Sequence, residues 1–202
     1  MKKIENNFDE NEKIFKSKKI FDFINDEKLI ENLYDFLAYV SIIAFFELNK
    51  LENKKIIELK THTVIIYLGS IIESVLYYFI NEIFINNEKK RKKYLKIKEF
   101  KSIQKIKISE ESNKEYHFCE VFEKEISLND TINFSSLING AKDNKILSEE
   151  IVEKINNIRK LRNSIHINVY KTGELIKFDE LKQIFIDTKD ILDYIEEKLE
   201  NK

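Results

Sequence analysis

The chain has 202 residues and a mass of 24.3 kDa, with 35 basic and 36 acidic side chains and a formal net charge of -1. One cysteine, Cys119, excludes an internal disulfide framework and a thiolate zinc cluster. Three glycines without proline exclude a turn-rich all-β fold, and no glycine-rich phosphate loop of dinucleotide or nucleotide-triphosphate type is present. The 43% hydrophobic content suffices for a core, while the near-zero net charge gives no whole-molecule pull toward nucleic acid.

Met1–Lys19 is polar and lacks the apolar segment and cleavage site of a signal peptide, so a cytoplasmic protein is expected. Glu10–Asn25 carries Ile14, Phe15, Ile20, Phe21, Phe23 and Ile24 and reads as a short amphipathic helix. Glu27–Leu48 reads as a second helix, closed at Asn49. Its apolar stretch, Phe36–Phe46, is about half of the roughly 20 residues that a bilayer requires. It is therefore expected to be buried, with no membrane role. These two helices make residues 1–53 an N-terminal helical extension.

Glu52–Asn86 is a long helical stretch, with Ile65, Leu68, Ile72, Leu76, Phe79 and Ile83 at steps of three and four. Gly69 within that stripe allows close approach of another helix, at a cost of about 1 kcal/mol relative to Ala. Residues 88–130 read as an insertion. It begins with a basic segment that holds ten Lys or Arg between Lys89 and Lys107. Partial alternation in Lys105–Ser109 and Glu115–Phe122, around a turn-like Glu110–Lys114, fits a small hairpin and short helices equally. Phe134–Lys145 reads as a short helix interrupted near Gly140. Ser148 is a good N-cap, with Glu149 and Glu150 favoured by the helix dipole. That helix runs to about Ile167. Asn168–Lys177 reads as a loop and Phe178–Lys198 as the last helix. The expected fold class is all-α, a helical bundle over residues 54–202 with the N-terminal extension and a small β or irregular insertion.

The helix from Glu149 to Ile167 contains the segment IRKLRNSIHIN. Ile151, Ile155, Ile158 and Ile165 form its apolar stripe, and Arg162 falls on that stripe where an apolar residue is expected. Arg159, Asn163 and His166 share the adjoining face at i, i+4 and i+7. This set suits metal-independent RNA cleavage. A histidine titrating near neutrality exchanges protons with a ribose 2′-OH or a leaving oxygen. An arginine fork holds the phosphate and stabilises developing charge. Asn163 can orient either group. The structural alternative is a basic helix C-terminus that complements the dipole, with an arginine paired to an acid such as Glu73.

The segment resembles the signature of the HEPN superfamily, small helical bundles whose motif is an arginine, four to six residues and a histidine. Arg159 and His166 satisfy the six-residue form. Arg162, Asn163 and His166 resemble the frequent Leu-Arg-Asn wording, with one residue too few before the histidine. Leu137–Ser148 is similar to the short helix preceding the motif helix. Tyr67–Ile80 resembles the first core helix, with Glu73 at a position often acidic. The resemblance covers roughly residues 55–200.

It implies a metal-independent endoribonuclease, without cofactor or metal, active as a homodimer with a composite site. His166 would be the general acid or base. Arg159 and Arg162 would bind phosphate, Asn163 would position them, and Glu73 would orient from a facing helix. Related domains occur in CRISPR effectors, abortive-infection proteins and toxin–antitoxin pairs, so a defence or toxin setting with an antitoxin or CRISPR partner protein is implied. One departure concerns toxins paired with a nucleotidyltransferase antitoxin: the tyrosine two residues past the histidine is replaced here by Asn168. The alternative is a catalytically inactive HEPN-like adaptor or inhibitor that binds a protein or RNA.

In the basic segment, Lys89, Lys90, Arg91, Lys92 and Lys93 are candidate RNA contacts, with Tyr94 and Phe100 available for stacking. A solvated lysine-rich face is the plain alternative. His117 and Cys119 lie two apart but have no local partners to complete a metal site, and Cys119 has no evident base. His62 shares a helix face with Ile66, Gly69 and Glu73 but stands about 16 Å from Glu73, at 1.5 Å per residue. Tyr77, Tyr78 and Phe79 read as packing residues.

Overall fold

The computed structural model describes residues 13–16, 18–47, 54–107, 115–165 and 178–201. The chain is mostly helical, with one two-stranded sheet. Helix α1 spans Glu27–Ser41 and continues into a π-helical segment, Ile42–Glu47. Helix α2 spans Lys54–Ile83, and the short α3 spans Glu88–Lys92. Strands β1 (Leu95–Lys107) and β2 (Glu115–Ile126) form an antiparallel hairpin. Helices α4 (Phe134–Asp143), α5 (Glu149–Ser164) and α6 (Phe178–Glu200) complete the chain.

The apolar spacing of α2 makes it the central helix. Ile65, Leu68, Ile72, Leu76 and Phe79 are fully buried, and the helix contacts α1, α4, α5 and α6. Burying a side chain of this size stabilises the fold by about 1.5–3 kcal/mol. The same helix, over Ile56–Ile83, is long and apolar enough to cross a membrane by length and composition. Its central position accounts for that composition: partners on several sides require apolar residues on several faces.

The N-terminal segment differs from its expected form. Only residues 13–16 of the described part of Glu10–Asn25 are helical, and residues 18–23 turn, with Lys19 at φ 58. Phe21 and Ile24 nevertheless enter the core. Phe21 packs edge-on against Tyr34 at 5.1 Å, in one cluster with α2 and α6 residues. Asp26 caps α1 by accepting the Leu29 N–H at 3.0 Å.

The insertion folds as α3 and the hairpin. β1 begins at Leu95, ten residues before the expected alternation, so most of the basic segment is strand. The tip, Glu110–Lys114, lies outside the described residues. Cross-strand partners run from Leu95 with Ile126 to Lys107 with Glu115, with a bulge between Ser102 and Gln104.

Helix α4 is continuous through Gly140, where an interruption was expected. Gly140 gives passage to a ring instead: a Cβ there would lie 2.2 Å from Tyr94 Cε1. Tyr94 is 1% exposed and donates its hydroxyl to the Leu137 carbonyl. Asn144 then holds the Tyr94 carbonyl at 2.8 Å. These contacts tie the base of the hairpin to α4. Ser148 caps α5, accepting the Ile151 N–H at 3.4 Å, and α5 ends at Ser164.

Candidate functional site

The site forms where α2, α4 and α5 converge. Ile151, Ile155 and Ile158 seat α5 on the core, which carries Arg162 onto the side of α2. Gly69 provides the room. A Cβ there would stand 2.9 Å from Arg162 Cδ, so the arginine stem crosses α2 at its only glycine. One turn further along α2, Glu73 accepts a hydrogen bond from Arg162 Nη1 and forms an ion pair with it. The Phe134 ring lies 6.0 Å from the guanidinium carbon, within cation–π range. Arg162 is on the apolar stripe, as its spacing implies, and glycine, carboxylate and ring together accommodate it there.

A cleft of about 490 Å3 opens beside this pair, lined by Glu73, Arg159, Arg162 and Asn163 together with Ile66 and residues 133–135. Arg159 lines the cleft and donates from Nε to Asn156 Oδ1 at 3.1 Å. Two cations therefore face one carboxylate. The N-terminus of α4 opens on the same space. Asn133 caps that helix by accepting the Ser136 N–H at 2.8 Å, and a helix N-terminus carries partial positive charge. Arginine forks, a helix N-terminus and the Asn163 amide are all groups that bind an anion such as phosphate.

Of the residues singled out from the sequence, Arg159, Arg162, Asn163 and Glu73 line this one cleft. His166 lies outside the described residues, as do Asn168 and Tyr170. The last described residue of this stretch, Ile165, borders the cleft. Asn133 and Ser135 were not singled out. Their available signal was an N-cap-competent Asn directly before a helical run.

The five cations Lys89, Lys90, Arg91, Lys92 and Lys93 do not line the cleft. They occupy α3 and the residue after it. Lys92 pairs with Glu88 at 2.8 Å, Lys93 pairs with Glu125 of β2 at 2.9 Å, and the Lys90 ammonium stands 5.8 Å from the Phe84 ring. Further along, Lys96 pairs with Glu123 at 3.5 Å, and Lys124 pairs with Glu99 at 2.8 Å. The charge asymmetry visible along the chain is thus diminished in space, because β2 brings its glutamates beside the β1 lysines.

Other candidates fall into place around the site. His62 is 7% exposed near the start of α2, and burial pushes its imidazole below its ordinary range, partly opposed by Glu58. Phe79 is core, and the Tyr78 hydroxyl accepts the Asn25 N–H at 2.9 Å. Cys119 is exposed on β2. Among the described residues, no three His, Cys, Asp or Glu side chains converge as metal ligands would.

Compared with known proteins, the chain matches no family model, no curated sequence and no solved structure.

Proposed function

We propose that the protein is a metal-independent endoribonuclease of HEPN type. The observation that carries this reading is the cleft that brings Arg159, Arg162 and Asn163 together on the helix leading to His166. In this mechanism Arg159 and the α4 N-terminus hold the scissile phosphate. Arg162, steadied by Glu73, stabilises the charge developing on the phosphoryl oxygens. His166 moves the proton at the 2′-OH or the leaving 5′-oxygen, and the 2′-oxygen attacks phosphorus as the P–O5′ bond breaks.

A homodimer would bring two such helices into one composite site. Exposed apolar surface in the cleft supports this: Ile66 is 41% exposed while lining it. The protein would act in the cytoplasm, in a prokaryotic defence or toxin setting with an antitoxin or CRISPR partner.

The test is incubation of labelled RNA in EDTA with wild type and His166→Ala. Cleavage by wild type alone, with both proteins equally helical, is the expected result. Equal cleavage by both, or none by either, overturns the proposal.

One observation favours the second reading, an inactive HEPN-like adaptor or inhibitor. Glu73 already occupies Arg162, which lowers the charge left for phosphate. Under that reading RNA or a partner protein binds and His166→Ala changes nothing.

A further inference from the structure

The hairpin carries apolar surface that the bundle does not use. Among the described residues β1 and β2 pair only with each other, and no further strand joins either edge of the sheet. At about 3.3 Å per residue the arm reaches about 40 Å. Its base is anchored by Leu95, 4% exposed, whereas Phe100 is 68% and Val121 51% exposed. A lone two-stranded hairpin is marginally stable in water, and exposed apolar patches mark partner sites.

The register sorts the side chains onto two faces. One face carries Leu95 opposite Ile126, Ile97 opposite Lys124 and Glu99 opposite Phe122, and its base packs on the bundle. The outer face carries Lys96 opposite Glu125, Lys98 opposite Glu123, Phe100 opposite Val121 and Ser102 opposite Cys119. The first two pairs join opposite charges, the third joins two apolar residues, and the fourth joins two small ones.

We propose that this outer face packs against the same face of a second copy of the chain, about a two-fold axis running along the arm. Such an axis lays β1 of each copy over β2 of the other while preserving the level along the strands. Lys96 then faces Glu125 of the second copy, Lys98 faces Glu123 and Phe100 faces Val121. Each contact occurs twice, as a two-fold interface requires. The base of the opposite face packs on the bundle through Leu95, Ile97 and Ile126.

The charges argue for this occupant. On the outer face β1 presents Lys96 and Lys98, and β2 presents Glu123 and Glu125. A polyanion would meet the acidic strand, and a partner of one charge sign would mismatch one strand or the other. A second copy matches both. The inference does not depend on the nuclease reading.

The test uses the full chain in a concentration series by analytical ultracentrifugation. The contact is small, so a concentration-dependent association step is expected, distinct from any dimer formed at the cleft. Phe100→Asp and Val121→Asp should each weaken it at least about tenfold, with circular dichroism unchanged, because both side chains are exposed. Phe122→Asp, on the opposite face, should leave it intact. Facing sheets stack about 10 Å apart, so a bismaleimide of about that reach should link Cys119 to Cys119 in wild type and not in Phe100→Asp. A wild type monomeric throughout overturns the proposal. So does a wild type in which every association step is indifferent to both aspartates, or a monomer whose RNA binding is what Phe100→Asp removes.

Discussion

The cleft and the hairpin arm both bring cations beside carboxylates, yet they are built differently. At the cleft, Arg162 and Glu73 are 30% and 31% exposed and sit over a glycine and against a phenyl ring. On the arm, Lys96 and Glu123 are 59% and 63% exposed. Water screens the second pair and its long side chains stay mobile, so it contributes little to stability. The first pair is partly desolvated and geometrically confined, so loss of one partner strands the other. The arginine is held in one position while the lysines are not, and a fixed cation is what phosphate chemistry requires.

The seam between the two regions should give the largest effect. Gly140→Ala places a methyl against the Tyr94 ring with no room to yield, and a loss of about 1–3 kcal/mol is expected. A lowered urea midpoint measures it; an unchanged midpoint would mean that the arm base does not depend on this packing. At the cleft, Glu73→Ala should cost about 1–2 kcal/mol by leaving Arg162 partly buried without its acid. Gly69→Ala should cost less, because the nearest atom belongs to a flexible side chain and alanine favours the helix by about 1 kcal/mol. It should nevertheless displace Arg162 and, under the proposed nuclease function, lower RNA cleavage, a separation of activity from stability that the arm cannot show. Lys96→Gln should change stability by less than about 0.5 kcal/mol, an effect that added salt erases.

A pH series adds a test at the other end of α2. His62 is held below its ordinary range by burial, so the unfolded chain binds a proton that the folded chain resists. Stability should therefore fall as pH drops below about 6.5 and level off once the folded-state value is passed. His62→Gln should flatten that part of the curve, as read from urea midpoints between pH 7 and pH 5.

Several elements were legible in the sequence because their signals are local. Ser148 with Glu149 and Glu150 marks the start of α5, and the apolar spacing of Ile65 through Phe79 marks α2. Arg162 stood out because it interrupts an apolar stripe, and Gly69 because it lies inside one. Other features were misread where a local signal had a distant cause. Gly140 reads as a helix break, but it exists to admit Tyr94, 46 residues earlier in the chain. The basic run reads as a cationic surface until β2 brings its glutamates alongside.

By itself the sequence determined a mainly helical chain with a long helix carrying an apolar stripe and a charged set near the end of α5. Periodicity and capping depend on neighbours within a few residues, and the chain order contains them. Only the tertiary structure decided that Glu73 is the acid of Arg162, that Asn133 brings a helix N-terminus to the same cleft, and that the basic segment is one strand of an arm. Those depend on which faces meet across 30 to 90 residues, and packing chooses that by fit: a glycine beneath an arginine stem, another beneath a tyrosine ring.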